Sequence, residues 1–385
     1  METLTKLRVP FAENIGMPTD RSPQARRLSG FLGDIRAVSA DSHWEVTEDI
    51  FFENFPAHLK EDAPRVWHDR YWRIGYPGRM ESFAIGDNAP RIMAKGLGRG
   101  GWNMEQRRTE LEVEGIWQEI VYPQSLLGFV RYPNFEVQEW LYRIYNDYMA
   151  GLSAANPGFN AVGIFSNWWD PKRAEAAMRQ IVDLGFKSFM VPVTAGRNLD
   201  GKNMSYGGVE MDTFWNLADE AGLPVAFHIG ENTDVENRGG LGAGIMAAIG
   251  VFRKPLGQII FGGVFDRHPS VNVVFAEGGI SWVPVALQDA EFIYDSFTEM
   301  VDPIERRPSE YWQTNCFATF QSDALGLNQL DYIGAERIMW ASDYPHPEST
   351  FGYNWDAMKA VADAVSPENA EKILGGTARK LYGLD

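Results

Sequence analysis

Acidic residues and histidines recur where short apolar runs of this chain end. They are Asp41, His43 and Glu45 after the first run, then His228, Glu277 and Asp343 at the ends of later runs, with His346 three residues further on. Imidazoles and carboxylates are the side chains that hold divalent cations and transfer protons near neutral pH. These residues can do such chemistry if the fold brings the ends of the apolar runs together.

The spacing within the first group allows two side chains to act at one point. Asp41 and His43 are two residues apart, and residues i and i+2 of a strand point to the same face. Glu45 joins them if the strand continues, and His228 and Asp343 complete a set of imidazoles and carboxylates. Such a set suits Zn²⁺, Mn²⁺ or Fe²⁺ better than a thiolate-bound ion. We predict one divalent metal ion, with zinc as the first expectation and manganese or iron as alternatives.

Eight apolar runs, most of them followed by a helical pattern, supply the elements that must position these residues. The predicted strands span residues 36–40, 119–123, 161–165, 187–193, 224–228, 271–277, 316–320 and 337–343. Several are continuous apolar runs, which is typical of strands buried on both faces of a parallel sheet. The pattern predicts an α/β chain folded as a (β/α)8 TIM-type barrel, whose catalytic residues lie where strands end. A doubly wound open sheet is the alternative.

The predicted barrel occupies residues 36–385 and follows a polar N-terminal arm at 1–35. An insertion at 49–101, after strand one, is rich in aromatic residues, glycine and proline and shows no sustained period. A segment of this length without clear elements usually covers a functional site, so we interpret it as a cap. The predicted helices span residues 105–115, 136–155, 171–184, 211–221, 244–266, 281–295, 323–333 and 355–382.

Charge and composition restrict the classes of partner. The chain has 35 basic and 52 acidic residues, a formal charge of −17, which disfavours nucleic acid and anionic membranes as partners. Cys316 is the single cysteine, so an intramolecular disulfide and a cysteine-based zinc site are excluded. The first residues lack the apolar stretch of a signal peptide. We expect a cytoplasmic protein that acts on a small molecule.

Two motifs of other enzyme classes are weak or missing. Residues 96–101 match G-x-G-x-x-G, but no apolar strand precedes them, so we reject dinucleotide binding. No G-x-S-x-G sequence occurs, which leaves a serine hydrolase unsupported. Metal-assisted chemistry is therefore the leading hypothesis.

Aromatic residues near the strand ends predict a flat apolar wall in the substrate pocket. Trp168 and Trp169 follow strand three, and Tyr122 lies at the end of strand two. Such a wall suits an aromatic or cyclic molecule. Arg197, which follows strand four, is a candidate partner for a carboxylate on that molecule.

Four separated motifs, taken in order, resemble the amidohydrolase-related family. They read ADSHWEV at Asp41 and His43, VAFHIGE at His228, VVFAEGGISWVP at Glu277 and WASDYPH at Asp343. The resemblance covers most of the chain and is to the branch that includes aminocarboxymuconate semialdehyde and resorcylate decarboxylases. It implies a distorted TIM barrel with one divalent metal at its carboxyl-terminal mouth, bound by Asp41, His43, His228 and Asp343. It also implies a homodimer or a homotetramer.

Two positions depart from the pattern of this family. Much of the superfamily has His-x-His in the first motif, whereas here Asp41 with His43, or His43 with Glu45, takes that place. We favour Asp41 and His43, with Glu45 as a neighbour of the metal or a spare ligand. Strand six ends in Glu277, where the decarboxylases tend to carry histidine. Glu277 is then a base, a partner for a substrate cation or a ligand for a second metal, which weakens the decarboxylase hypothesis.

The leading functional hypothesis is a metal-dependent hydrolase of a small aromatic or cyclic ester, lactone, amide or C–C bond. Asp343 would accept the proton of a metal-activated water and pass it to the leaving group. Glu277 and His346 are further catalytic candidates, the latter through a hydrogen bond to a ligand carboxylate. The alternatives are a non-oxidative metal-dependent decarboxylase of an aromatic or unsaturated carboxylic acid and a dinuclear iron enzyme that uses oxygen. A non-catalytic metal-stabilised binding protein is a fourth hypothesis.

Overall fold

The computed structural model describes residues 32–68, 72–75, 99–124, 126–127, 134–168, 170–231, 238–346 and 348–385. Only the last four residues of the predicted arm at 1–35 fall within this part, so the arm stays a prediction. From Val38 onward, buried strands alternate with helices, as the sequence pattern predicts.

Eight parallel strands form the barrel and follow one another in sequence order. They are β1 (Val38–Trp44), β2 (Gln118–Pro123), β3 (Phe159–Ala161 and Gly163–Ile164), β4 (Phe189–Val191), β5 (Val225–His228), β6 (Val273–Ala276), β7 (Cys316–Phe320) and β8 (Ile338–Trp340). Each strand pairs in parallel with the next. Within β3 the pairing changes at Val162, whose N–H donates to the Val121 carbonyl, whereas Gly163 donates to Ser188. The predicted TIM-type barrel is confirmed.

The barrel closes between β1 and the segment that follows β8. The Asp343 N–H donates to the Asp41 carbonyl at 2.9 Å, and the His43 N–H donates to the Tyr344 carbonyl at 2.6 Å. Because these bonds join the first and last strands, the motif in β1 and the motif after β8 lie side by side.

Strand β1 extends further than the sequence pattern predicts. The predicted end is Ala40, whereas the strand continues to Trp44 and all of its residues are buried. The pairing with β2 changes register between Ser39 and Ser42, which indicates a β-bulge that a sequence pattern does not reveal. Asp41 and His43 therefore lie inside the strand and not beyond its end.

Helices pack outside the strands, and their ends follow ordinary capping rules. Pro171–Asp183 begins after Asp170, whose side chain accepts a hydrogen bond from the Lys172 N–H. Asp212–Ala221 ends at Gly222 in the left-handed conformation. The remaining α-helices of the described chain beyond β1 and its insertion are Met104–Val113, Phe135–Ala155, Gly240–Ile249, Arg253–Phe261, Val264–Arg267, Trp282–Ser296, Pro308–Asn315, Ala324–Leu327, Leu330–Ile333, Asn354–Ala364, Pro367–Glu371 and Thr377–Tyr382.

The helix Pro308–Asn315 has no counterpart among the helices predicted from the sequence. Its eight residues include few apolar side chains and therefore show no clear period. Tyr311 and Trp312 are nevertheless fully buried. The Glu310 side chain accepts a hydrogen bond from the Arg307 N–H at 2.8 Å, so local capping and two buried aromatic rings stabilise the helix.

One stretch of helix, Gly242–Phe261, is long and apolar enough to cross a membrane by length and composition alone. It belongs to the predicted helix at 244–266, which the structure divides into three shorter helices near Gly250 and Gly262. A basic pair at 253–254 lies in the middle of the stretch. One stretch of this kind is weak evidence for a membrane span, because core helices of soluble proteins can have the same length and composition.

The insertion between β1 and β2 contains short regular elements in its described part. They are Ile50–Asn54, Ala57–Asp62 and a hairpin of Arg65–His68 with Trp72–Gly75. Phe51 is fully buried, and Asp49 accepts hydrogen bonds from the Arg65 side chain and the Val66 N–H. Elements this short give no sequence period, which explains why the pattern shows none. The role of the insertion as a cap stays a prediction.

Candidate metal centre

A closed ring of six side chains lies at the mouth where the strands end. Carboxylates and imidazoles alternate around it in the order Asp41, His228, Glu277, His346, Asp343 and His43. Neighbouring donor atoms lie 3.3, 3.5, 3.3, 3.1 and 3.2 Å apart in that order, and 3.7 Å between His43 and Asp41 closes the ring. The most exposed of the six side chains, that of His346, is only 12% exposed. The structure thus brings most of the residues selected by sequence spacing to one buried point.

Strand β1 supplies two members of the ring, and neighbouring strands fix both of them. His43 donates from Nδ1 to the Pro123 carbonyl oxygen at 3.0 Å, which leaves its Nε2 lone pair directed into the ring. Thr319 of β7 donates to Asp41 Oδ2 at 3.3 Å, so Oδ1 is the oxygen that faces the histidines. The first motif therefore enters the ring through its aspartate and its histidine.

Glu45 is held outside the ring by its own neighbours. Its Oε1 accepts a hydrogen bond from the Val46 N–H at 3.1 Å, and its backbone N–H donates to the Gly101 carbonyl. Within the described residues, the side-chain groups that could hold a metal ion do not include Glu45. The geometry therefore favours Asp41 with His43 over His43 with Glu45.

A buried arginine holds the backbone of the first motif. Arg107 donates to the His43 carbonyl at 2.9 Å and to the Gly100 carbonyl at 3.0 Å. Its guanidinium also pairs with both carboxylate oxygens of Glu119 on β2, each at 2.6 Å. In a buried pair of this kind each charge compensates the other, so both side chains are confined to one geometry.

His228 ends β5 with its Nε2 atom directed into the ring. Its Nδ1 donates to the Ile229 carbonyl at 2.8 Å, which fixes the ring so that Nε2 faces the carboxylates. Nε2 lies 3.3 Å from Asp41 Oδ1 and 3.5 Å from Glu277 Oε2. The buried ring of Tyr122 packs against the imidazole, with 4.6 Å between the centroids. Tyr122 therefore lines the site.

Glu277 and Asp343 both have left-handed backbone conformations, with φ of +67° and +58°. Such angles are unfavourable for residues with a side chain and concentrate at functional sites. The Glu277 N–H donates to Thr319 Oγ1 at 2.8 Å, which helps to hold this conformation. Asp343 is not a helix N-cap, because the next helix begins only at Asn354. Both carboxylates are thereby placed in the mouth of the barrel.

His346 comes from the loop after β8, and both of its ring nitrogens have partners. Nδ1 lies 3.1 Å from Asp343 Oδ1 and 3.3 Å from Glu277 Oε1. Nε2 lies 2.8 Å from the side-chain amide of Gln124, the residue that follows β2. The ring of His43 stacks on this imidazole, with 3.9 Å between the centroids. His346 is therefore a member of the ring and not a distant loop residue.

Burial and neighbouring charges move the pKa values of two ring carboxyls in opposite directions. Burial, reinforced by the charge of Asp343, raises the pKa of Glu277 to about 8. Burial acts in the same sense on Asp343, but His346 and His43 outweigh it and hold the pKa of Asp343 well below its usual range. At neutral pH the first carboxyl group carries a proton and the second is ionised.

The pKa values of the imidazoles also separate. Burial lowers the pKa of His43 to about 4, and charge on His346 acts in the same sense. Burial opposes protonation of His228 as well, but Asp41 outweighs it and raises this pKa to about 9. Burial is likewise outweighed at His346, where Asp343 raises the pKa well above its usual value. Neighbouring groups whose pKa values are shifted in opposite directions are typical of acid–base sites.

Buried atoms without a normal hydrogen bond fit a bound cation. They are Nε2 of His43 and both carboxylate oxygens of Asp343, and such groups are costly to bury uncompensated. Two sets of donor atoms each lie within 4.8 Å of one another, namely His43, Glu277, Asp343 and His346, and Asp41, His43 and His228. Imidazole nitrogens with carboxylate oxygens suit a divalent first-row ion. The donors present therefore fit a divalent cation.

Trp168 and Arg197, two of the predicted substrate-pocket residues, make hydrogen bonds to residues outside the ring. Trp168 is buried after β3, and its Nε1 donates to the Ala195 carbonyl at 2.9 Å. Arg197 is exposed, and its Nε donates to the Asn203 side chain within the same loop. Trp169 lies outside the described residues. The proposed contact of Arg197 with a substrate carboxylate has no support from these positions.

Three residues that contact the ring were not selected from the sequence. Thr319 is the penultimate residue of the predicted strand at 316–320, and Gln124 directly follows predicted strand two, so the strand-end rule could have found both. Arg107 lies in a helix, and only its pairing with Glu119 across the fold reveals its role. No local sequence signal indicates such a partner.

Comparison with known proteins identifies the family. A family model described as amidohydrolase matches residues 135–384, which include four members of the ring. The 2-amino-3-carboxymuconate-6-semialdehyde decarboxylase of Dictyostelium discoideum is 24% identical over 311 residues, covering 77% of this chain and 77% of that protein.

Solved structures show the same fold. An amidohydrolase from Mycobacterium avium subsp. paratuberculosis aligns with a TM-score of 0.75 and 19% identity, covering 91% of this chain and 100% of the other. The 5-carboxyvanillate decarboxylase of Novosphingobium aromaticivorans, complexed with manganese and 4-hydroxy-3-methoxy-5-nitrobenzoic acid, aligns with a TM-score of 0.67 and 17% identity, covering 96% and 100%. Because the family match spans about two thirds of its length, the chain belongs to the amidohydrolase family, as its four motifs predict.

Proposed function

We propose that this protein is a metal-dependent decarboxylase of an aromatic or unsaturated carboxylic acid. The observation that carries the proposal is the buried ring of three imidazoles and three carboxylates, in a chain that aligns with a decarboxylase over 77% of both lengths. The neighbour that holds manganese with a nitrated aromatic acid supports an aromatic substrate and manganese as the ion. Zinc, the first expectation from the sequence, stays a prediction.

The position of His346 supports a decarboxylase even though Glu277 follows β6. The sequence places glutamate where the decarboxylases tend to carry histidine, so the site is expected to lack an imidazole there. His346, from the loop after β8, lies 3.3 Å from Glu277 and supplies an imidazole at that side of the ring. The ring therefore has both a carboxyl group and an imidazole on the side of Glu277.

The residues of the ring can supply the proton that decarboxylation requires. A divalent cation, when bound, supplies positive charge that neutralises a substrate carboxylate and an adjacent hydroxyl oxygen. Glu277, whose pKa burial raises to about 8, carries a proton at neutral pH and donates it to the carbon that bears the carboxylate. The electron pair of the breaking C–C bond restores the aromatic ring as carbon dioxide leaves. His346 then returns a proton to Glu277.

Metal-dependent hydrolysis is the second candidate function. The family is described as amidohydrolase, and the pKa of Asp343 is held well below its usual range, so an ionised carboxylate is available as a base. Asp343 would then accept the proton of the attacking water and return it to the leaving group. The two candidates use the same ring and differ in whether water is consumed.

Isotope labels separate the two reactions. Protein reconstituted with Mn²⁺ is incubated in D₂O with 2-hydroxylated aromatic acids that carry ¹³C in the carboxylate. We expect ¹³CO₂ and one deuterium at the vacated carbon. Parallel reactions with aromatic esters and lactones in H₂¹⁸O test hydrolysis, which places ¹⁸O in the acid product. Ester or lactone turnover without any ¹³CO₂ release would replace the decarboxylase with the hydrolase.

A matched pair of variants tests the proton donor. Glu277→Gln keeps the shape of the side chain but removes the acid, so kcat should fall by about 100-fold or more. His58→Ala is the control, because His58 is exposed and pairs only at the surface with Glu136. It should stay within about twofold of the wild type, in line with other surface substitutions. A Glu277→Gln rate equal to that of the control would remove Glu277 from the mechanism.

A further inference from the structure

We propose that a cavity at the amino-terminal end of the barrel, opposite the ring, binds a small zwitterion of the α-amino acid class. Arg306 holds the carboxylate of this ligand, and Asp266 and Glu305 hold its ammonium group. The cavity has a volume of about 550 Å³, within the usual range of small-molecule sites. Binding there uses none of the six ring residues and does not depend on which reaction the protein catalyses.

The cavity lies where β6 and β7 begin. Asn272 directly precedes β6, Asn315 directly precedes β7, and both residues line the cavity. The ring residue Glu277 follows the other end of β6, about 16 Å away along the strand. A ligand the size of an amino acid does not span that distance. The cavity is therefore a site separate from the candidate metal centre.

Arg306 brings a guanidinium group whose described partners are neutral. Its Nη1 donates to Thr314 Oγ1 at 2.9 Å, and its Nη2 donates to Asn315 Oδ1 at 3.4 Å. The guanidinium also lies over the aromatic ring of Tyr311, 4.2 Å from the centroid. Within the described residues, the ion pairs of this segment belong to the neighbouring Arg307, and none includes Arg306. The charge of Arg306 is therefore available to an anionic group.

Asn315 holds this guanidinium in place before any ligand arrives. The asparagine is 3% exposed, and its Nδ2 donates to the carbonyls of Pro269 and Val271, each at 2.9 Å. Its Oδ1 is thereby directed to Arg306. The guanidinium has more N–H donors than these contacts use, and its planar fork matches a carboxylate. A group that is fixed beforehand loses little conformational entropy on binding.

Two carboxylates line the same cavity. Asp266 is half-buried: its Oδ1 accepts a hydrogen bond from the Tyr311 hydroxyl at 2.5 Å, and its Oδ2 accepts one from the Glu305 N–H at 3.2 Å. Each oxygen keeps a lone pair for a further donor. The side chain of Glu305 is exposed to solvent. A cavity with unpaired charges of both signs is complementary to a ligand that carries both.

Apolar residues are available for the rest of the ligand. Phe265 lines the cavity although it is almost fully buried, and its aromatic ring stacks on that of Tyr311 with 5.9 Å between the centroids. Pro269 lines the cavity as well. An aromatic side chain gains from contact with such surfaces. L-Phenylalanine combines the carboxylate, the ammonium group and the aromatic ring, and is therefore the probe.

The experiment is a calorimetric titration of the Mn²⁺-reconstituted protein with three probes that share a phenyl ring. L-Phenylalanine has both charges, 3-phenylpropanoate lacks the ammonium group and 2-phenylethylamine lacks the carboxylate. We expect one equivalent of L-phenylalanine per chain and at least about tenfold weaker binding of the other two, because each loses hydrogen bonds between charged groups. Binding of 3-phenylpropanoate as tight as that of L-phenylalanine would overturn the zwitterion.

A matched pair of arginine variants places the carboxylate. Arg306→Met should weaken L-phenylalanine binding by at least about tenfold and should not weaken 2-phenylethylamine. Arg307→Met is the control, because Arg307 is exposed and pairs with other acidic residues, and it should stay within about twofold. Circular dichroism shows whether each variant folds. Equal affinities in the two variants would overturn the site.

Glu305→Gln tests the ammonium group independently of the arginine. The substitution keeps the backbone N–H that donates to Asp266, so the cavity stays intact. It should weaken L-phenylalanine binding severalfold and leave 3-phenylpropanoate unchanged, because only the zwitterion has a cation to lose. The same loss for both probes would overturn the assignment of the ammonium group to this side chain.

His228→Ala separates the cavity from the metal centre, since an amino acid can also bind a metal ion directly. This variant should keep L-phenylalanine binding within about twofold, because His228 lies in the ring. Loss of binding in His228→Ala with full binding in Arg306→Met would place the ligand at the ring and overturn the cavity site. No binding up to about 10 mM would also overturn it. Both results leave the decarboxylase proposal intact.

Discussion

At the scale of single residues, the site depends on buried groups whose charges compensate one another. Arg107 is almost fully buried, pairs with both oxygens of Glu119 and also donates to the carbonyl of His43. This arginine therefore has two tasks: it compensates a buried carboxylate of β2, and it fixes the backbone of a candidate metal ligand. The first task requires a cation, because a neutral side chain cannot balance the charge of Glu119. The second uses the several N–H donors of the guanidinium, which reach the carboxylate and both carbonyls at once.

Arg107→Met should lower the free energy of unfolding by about 3–5 kcal/mol, because it leaves Glu119 buried without a partner. Lys359→Met is the control, since Lys359 forms an exposed pair with Asp363 one helical turn away and should cost less than about 0.5 kcal/mol. Urea unfolding at pH 7 measures both values. Equal losses in the two variants would contradict the role given to Arg107.

The chemical identity of the site residues could be predicted from the sequence, but their supports could not. Asp41, His43 and His228 stand out because strand ends and residue types are local properties of a sequence. Arg107 reaches the first motif from the helix Met104–Val113, and its partners are set by the packing of helix and strand. A single sequence contains no local pattern for such contacts.

At the scale of elements, strand ends are bent to present side chains into the mouth. Glu277 and Asp343 follow β6 and β8 with positive φ, and Asn167, beyond β3, has φ of +60°. These are the non-glycine residues with positive φ in the described part of the chain. Each lies just beyond the carboxyl end of a strand, which is where this fold places functional residues. The strain is thus concentrated on the catalytic face of the barrel.

Two glycine substitutions distinguish close packing of elements from helix propensity. Gly375 lies in the last helical region, where a Cβ would overlap the backbone carbonyl of Arg36 just before β1. Gly375→Ala should therefore lower the free energy of unfolding by about 1–3 kcal/mol.

Gly151 is the opposite case, because it is exposed within Phe135–Ala155 with open space around it. Gly151→Ala should therefore raise the free energy of unfolding by about 0.5–1 kcal/mol. Thermal unfolding of both variants checks the two signs, and a stabilising Gly375→Ala would contradict the packing of this region on β1.

The elements themselves could largely be predicted, and the exceptions have physical reasons. All eight strands were indicated by apolar runs, because strands buried on both faces cannot accommodate many polar residues. The end of β1 at Trp44 was not predicted from the apolar run, since polar residues inside a strand look like the start of a loop, although the shared face of Asp41 and His43 already assumes strand geometry there. Pro308–Asn315 was missed because its eight residues include few apolar side chains and therefore show no clear period.

At the scale of the whole molecule, the barrel closes at the same place where the candidate metal centre is assembled. Ser39 of β1 joins the two ends: its Oγ accepts a hydrogen bond from the Ser342 N–H at 2.8 Å and donates to the Asp41 carbonyl at 2.8 Å. Asp41 is a member of the ring, and Ser342 directly precedes Asp343, another member. Closure of the fold and geometry of the site are therefore coupled.

Ser39→Ala should lower the free energy of unfolding by about 1–3 kcal/mol, because the buried Ser342 N–H loses its acceptor. It should also weaken Mn²⁺ binding, since Asp41 and Asp343 lie on the two sides of the closure. Ser270→Ala serves as the comparison, because Ser270 is exposed and its hydroxyl donates to Asp219. Asn272 lies beside it and donates to its backbone carbonyl. Chemical unfolding and calorimetry measure the two effects. Loss of stability without any change in metal affinity would show that closure and site are independent.

The central claim is that the six alternating side chains form the metal centre of this enzyme. The most direct measurement is an anomalous difference map at the manganese edge, from crystals of the Mn²⁺-reconstituted protein. The account predicts the strongest peak inside the ring, about 2.0–2.3 Å from donor atoms of Asp41, His43 and His228. A strongest peak elsewhere, or none in the ring at saturating Mn²⁺, would contradict it.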